Sequence, residues 1–107
     1  DCVRAAVELM EADFVALEHH GDFNVASMSF RPGELAVSIR QHIPDFEIEY
    51  KPDYRQSIAE SWPTSIDDSS ARSEWGWRPE YDLDSMTADM IDRLQRRAEA
   101  GRLYNRR

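Results

Sequence analysis

Residues 51–77 read KPDYRQSIAESWPTSIDDSSARSEWGW, and the rest of the chain is organised around them. The first part, broken by Pro52 and Pro63 around Ser61-Trp62-Pro63, has no sustained period and reads as a long irregular run. The second part reads as a short helix over residues 69–75. Asp67 or Asp68 caps it, and Gly76 ends it in the left-handed conformation. Pro79 blocks its continuation. Trp62, Trp75 and Trp77, all the tryptophans of the chain, fall in this stretch. Long ordered loops in compact domains usually carry function, so the site is expected here.

Outward from this stretch, helical periodicity takes over. Asp1 is a good N-cap, and Val3, Ala6, Val7 and Met10 recur at helical spacing over residues 2–12. A connection carrying His19, His20 and Gly21 leads to a short strand at residues 23–26. Pro32 suits the first position of a second helix and Glu34 its first turn, although Arg31 stands where Ser or Thr is the usual cap. Leu35, Ala36, Ile39 and Ile43 form its stripe, and Pro44 ends it. Residues 46–51, FEIEYK, alternate apolar and charged as a half-buried strand does. Tyr81-Asp82-Leu83 opens a last helix over residues 83–100. Its stripe is Leu83, Met86, Met90, Ile91 and Leu94, and Gly101 closes it.

The expected class is therefore α+β, with three main helices, one short helix and two short strands. One domain is expected over residues 1–97, followed by a basic tail over 98–107. Two strands alone are marginal. The chain also opens on Asp1 and enters a helix at once. Both features suggest a piece of a longer protein.

Composition narrows the function. The 107 residues allow one modest core. A net charge of −8 argues against nucleic acid and against anionic membranes as partners. Cys2 is the one cysteine, so neither an internal disulfide nor a cysteine zinc cluster forms within the chain. No apolar run approaches the ~18 residues of a membrane span. A reducing cytoplasm is the expected compartment.

Several chemistries lack their residues. The four glycines, at 21, 33, 76 and 101, are too dispersed for a phosphate-cradling turn. Lys51 is the only lysine and Glu47 stands four residues before it, so there is no Tyr-x-x-x-Lys pair. His19 and His20 read as exposed loop residues, and His42 sits near a helix C-terminus, where a cation is favoured. The histidines have no metal-ligand spacing. No catalytic, cofactor or metal residue is assigned to this chain. Trp62 is either a plug in the core or the wall of a small-molecule pocket. Trp75 and Trp77 read as core or interface packing. Arg55 and Arg72 face either an anionic ligand or nearby carboxylates.

One resemblance runs through nearly the whole chain. Its residues are Asn24-Val25, Met28-Ser29-Phe30, His42-Ile43-Pro44, Tyr50-Lys51-Pro52-Asp53, Arg55 through Pro63, Ile66-Asp67-Asp68-Ser69, Ala71-Arg72, Trp75-Gly76-Trp77 and Tyr81-Asp82-Leu83. Together they resemble the C-terminal part of short-chain-type L-threonine 3-dehydrogenases, in the extended short-chain dehydrogenase/reductase superfamily that includes NAD-dependent epimerases and dehydratases.

The resemblance implies a small substrate-binding domain whose Rossmann domain lies elsewhere. That missing domain would bind NAD and carry a Tyr-x-x-x-Lys pair. The full-length enzyme would be a homodimer oxidising the 3-hydroxyl of L-threonine to give 2-amino-3-ketobutyrate, and this chain alone would be inactive. The resemblance places Trp62 beside the substrate, with Arg55 and Ser61 as further candidates. A nucleotide-sugar epimerase or dehydratase domain, and a free-standing α+β interaction module, are the alternatives.

Overall fold

A computed structural model of the chain describes residues 1–101; the basic tail expected beyond Gly101 lies outside the described residues. Among them are five α-helices: α1 (Cys2–Glu11), α2 (Pro32–Arg40), α3 (Arg55–Glu60), α4 (Ser69–Glu74) and α5 (Leu83–Glu99). A 3₁₀ turn follows α1 at Phe14–Ala16. No strand forms among the described residues, so the fold is all-α and the expected α+β class is overturned.

The reason lies in where the backbone groups of the two expected strands go. A strand exists only when a neighbour shares its N–H and C=O groups. The Ala26 N–H instead donates to Asp68 Oδ2 at 3.2 Å, and its carbonyl accepts from Trp77 Nε1 at 2.9 Å. The Phe46 N–H closes a turn onto the Ile43 carbonyl at 3.0 Å, and its own carbonyl accepts from Arg40 Nε at 3.0 Å. Alternation prepared residues 46–51 for a sheet, and in both segments side chains or turns took the backbone groups.

The chain divides into two compact units. One comprises Asp1–Ser29 with Tyr50–Tyr81; the other comprises Phe30–Glu49 with the chain from Asp82 on. The core of the first is small. Ala5 of α1, Ala71 of α4 and Trp77 are buried together, with Phe23, Val25 and Trp75 packed against them. Trp75 meets Phe23 edge-on at 6.0 Å and Trp77 at 5.8 Å between ring centroids. Arg4 lies 4.8 Å above the Trp77 ring, a cation–π contact, and its guanidinium also donates to Asp1 and Glu8 at 2.8 Å. The Asp1 carboxylate further accepts from the Glu80 and Tyr81 amides and the Ser27 hydroxyl. Through these bonds, three stretches far apart in sequence are stitched together.

α1 turns a different face inward from the one its periodicity suggests. Ala5 is buried, whereas Val3, Val7 and Met10 of the expected stripe are exposed. A methyl side chain allows the close approach that a valine at the contact would prevent.

In the second unit α2 packs on α5 through small residues. Ala36, Ser38 and Thr87 are buried. Ser38 Oγ donates to Asp84 Oδ1 at 2.6 Å, and Thr87 Oγ1 to the Leu83 carbonyl at 2.7 Å, so both buried hydroxyls are satisfied. α5 starts on a reciprocal cap: the Ser85 N–H donates to Asp82 Oδ1 and the Asp82 N–H to Ser85 Oγ. At α2, Arg31 has no acceptor to offer, and Glu34 Oε2 instead reaches back to the Arg31 N–H at 2.6 Å. Ile43, Met90 and Leu94, expected inside, are exposed.

Candidate functional site

The three candidate side chains lie on one short piece of chain. The run expected to be irregular contains α3, and Arg55 opens it, while Ser61 and Trp62 follow its last turn. The turn forms because Asp53 caps it: the Arg55 N–H donates to Asp53 Oδ1 at 2.9 Å and the Gln56 N–H to the Asp53 carbonyl at 2.9 Å. Gln56 and Glu60 then pair side chain to side chain one turn apart at 3.0 Å.

Arg55 is committed locally. Its guanidinium meets both Asp53 carboxylate oxygens at 2.7–3.0 Å. This bidentate pair holds the Asp53 carboxyl below its ordinary range and raises Arg55 above its own. The paired reading of Arg55 is the one the structure realises. Ser61 Oγ donates to the Ile58 carbonyl at 2.6 Å, which closes the helix end and leaves the hydroxyl oxygen as an acceptor. The Trp62 N–H donates to the Ala59 carbonyl at 3.1 Å, but its side chain is 69% exposed. It does not plug the core; Trp77, at 1%, does. Among the described residues no hydrogen bond joins the three side chains to one another.

The surroundings share this exposure. Every residue from 50 to 67 is exposed. Tyr50, Tyr54, Ile58, Trp62 and Ile66 are the exposed large apolar residues of this stretch, and Ile58 lies on α3 itself.

Each helix of this chain has a carboxylate at or near its start. Phosphate binding at a helix start needs free amides and no competing anion. Here Asp1, Glu34, Asp53, Asp67 and Asp82 stand at the starts of α1 to α5 respectively. The Asp67 carboxyl, held low by the Ser69 N–H, and the Asp82 carboxyl, held low by Ser85, are ionised occupants of those positions. Among the described residues no group of three or more His, Cys, Asp or Glu side chains is placed to hold a metal ion, and no helix is long and apolar enough to cross a membrane.

Two carboxylates do structural work that the sequence does not announce. Asp68, buried, is held below its ordinary range by Arg72 Nε at 2.7 Å while also accepting the Ala26 N–H. Glu74, the last residue of α4, accepts from the loop after α1. The doublet Asp67-Asp68 hinted at the first as a cap; no local pattern hinted at the second, because its partners lie 55 and 56 residues away.

No family model matches the chain. It is 45% identical over 101 residues to an uncharacterised epimerase/dehydratase of Staphylococcus saprophyticus, covering 94% of this chain and 32% of that protein. It is 47% identical to the mitochondrial L-threonine 3-dehydrogenase of Sus scrofa, covering 86% of this chain and 25% of the other. Among solved structures, a GalE-like L-threonine dehydrogenase from Cupriavidus necator matches with TM-score 0.82 and 52% identity over 87% of this chain and 34% of its own. The L-threonine dehydrogenase of Clostridium difficile matches with TM-score 0.84 and 49% identity over 90% of this chain and 30% of its own. The chain thus spans between a quarter and about a third of the proteins it matches. In sequence and in fold it is homologous to the C-terminal part of the L-threonine 3-dehydrogenase and epimerase/dehydratase proteins.

Proposed function

We propose that this chain is the substrate-side part of an NAD-dependent oxidoreductase that oxidises L-threonine at its 3-hydroxyl to 2-amino-3-ketobutyrate. The observation that carries this reading is its 47% and 52% identity to proteins named for that activity. In this reading NAD belongs to an N-terminal nucleotide-binding domain, since carboxylates stand at the helix starts here. The reacting proton and hydride are handled there as well, and the chain alone is inactive. Trp62 walls the amino-acid site, Ser61 offers its oxygen as an acceptor, and Arg55 positions the segment through Asp53. The enzyme works as a cytoplasmic homodimer.

Exposure supports the incompleteness. Val3, Val7 and Met10 on α1, and Tyr54, Ile58 and Trp62 along α3, leave apolar side chains in water that a covering domain would bury. At ~25 cal/mol per Å² of apolar surface, covering these two faces is a strong incentive to associate.

The test is threonine-dependent NADH formation by the chain alone and by a polypeptide joining it to such a nucleotide-binding domain. Activity only in the joined form is expected, with W62A lowering kcat/KM for threonine by about tenfold or more, the loss of a pocket wall contact. Turnover by the isolated chain overturns the assignment of NAD to the other domain. The identity to an epimerase/dehydratase supports one rival, a nucleotide-sugar enzyme. Turnover of a sugar nucleotide with threonine ignored selects it.

A further inference from the structure

The loop between α1 and residue 23 is held by one carboxylate. Glu74 is only 7% exposed in its side chain. Its Oε1 accepts two consecutive backbone amides, from Glu18 at 2.6 Å and His19 at 2.8 Å. Its Oε2 meets His19 Nδ1 at 2.6 Å. An anion at the end of a helix is repelled by the carbonyls there, so Glu74 depends on these donors. The loop depends on Glu74 in return, for its apolar anchoring is slight. Phe14 and Val15 are exposed, and a cavity of about 170 Å³ lies among Leu9, Phe14, Leu17 and Phe23. The remaining side-chain bonds of the loop are local, from Val15 to Asp13 and from His20 to the Leu17 carbonyl.

We propose that Glu74 and His19 form a pH-dependent clasp, which draws the loop onto the end of α4 while Glu74 is ionised and His19 is protonated. The clasp rests on geometry independent of the threonine reading. What it governs is a second cavity, of about 400 Å³, walled by Asp13 and Ala16 of the loop and by Glu74, Trp75 and Gly76. Releasing the loop opens that wall.

The charges around the pair favour the cationic imidazole. Glu18 is its neighbour on the loop. Glu8 and Glu11 of α1, with Asp13, line the same cavity as Glu74. The arginines of the two helices are engaged elsewhere, Arg4 with Asp1 and Glu8, Arg72 with Asp68. His20 stacks on Phe14, and Phe23 meets His19 edge-on. The hydrogen bond to Glu74 and its charge raise His19 above its ordinary value. Burial pushes the Glu74 carboxyl up, but the donors from His19 and Glu18 outweigh it and hold it low. A raised histidine contributes its stabilisation at low pH and loses it as pH rises through the folded value; a depressed carboxyl loses its own as pH falls through the folded value. The clasp is therefore tightest between the two.

The test combines histidine-labelled NMR with hydrogen–deuterium exchange of residues 12–22 in the intact protein, with H19A and H20A assigning the signals. The expected result is that His19 titrates above its ordinary value and that E74Q lowers its midpoint. Exchange protection of residues 18 and 19, corrected for intrinsic rate, is expected to fall across the His19 titration. H19A, a change at an exposed side chain, removes that fall without threatening the fold. A His19 midpoint that E74Q leaves unmoved, or protection that is flat across the titration, overturns the clasp.

Discussion

Two aromatic regions of the same unit have opposite fates. Trp77 is buried, donates its indole N–H to the Ala26 carbonyl and carries Arg4 over its face. Trp62, fifteen residues earlier, is exposed, and so is every other residue from 50 to 67. Composition does not separate them, since both regions mix aromatics with Ser, Arg and acids. What separates them is an intramolecular partner for the indole. Trp77 has a carbonyl and a cation to meet, supplied by chain 51 and 73 residues away, whereas the Trp62 bond runs from its backbone N–H to the turn before it. An aromatic held by two distant segments is architecture; one held by its own turn is available to something else.

The largest test of this contrast pairs W77A with W62A. W77A is expected to cost about 3–5 kcal/mol in chemical denaturation, the range for deleting a buried aromatic. W62A is expected to stay within about 0.5 kcal/mol, as exposed positions do. Equal losses would erase the distinction.

Asp68 sharpens it from the other side, because it ties the segment that receives Trp77. D68A strands the Ala26 N–H and frees Arg72, at an expected cost of about 1–3 kcal/mol. Its depressed carboxyl also sets a pH limb. The stabilisation is complete above the ordinary carboxylate value near 4 and is lost as pH falls through the lower folded value. Denaturation midpoints in acid should show that limb in the parent and a flatter one in D68A; parallel curves would remove Asp68 from the account. In the second unit, S38A deletes the bond to Asp84 and should cost about 1 kcal/mol. The smallest effect is expected at α3, where D53N loosens an exposed pair. Circular dichroism should detect no change beyond that short helix, and a global loss of helix would mean that the segment supports the core.

Much of this was legible along the chain. α1, α2, α4 and α5 begin and end near the expected positions because their signals are local: Pro32 at the start of α2, Asp82 before α5, and Gly76 and Gly101 at φ 75° and 65°. α3 was missed because Arg55-Gln56-Ser57-Ile58-Ala59-Glu60 has no apolar period; its cap on Asp53 and its pair between Gln56 and Glu60 hold it instead. The strands were misread because FEIEYK alternates as a strand should, and pairing is not a local property. The position of Trp62 outside the core and the local commitment of Arg55 to Asp53 needed coordinates.

The sequence by itself determined where α1, α2, α4 and α5 start and stop, since caps, prolines and glycines act within a turn or two of themselves. It also determined kinship, carried by motifs dense enough to recognise. Only the tertiary structure decided which face of α1 turns inward, that Ala26 is claimed by Asp68 and Trp77 instead of a neighbouring strand, and that Glu74 holds a loop 55 residues before it. Each of those outcomes is a competition for a hydrogen bond or a contact between segments far apart in the chain, and such a competition is decided only once they are brought together.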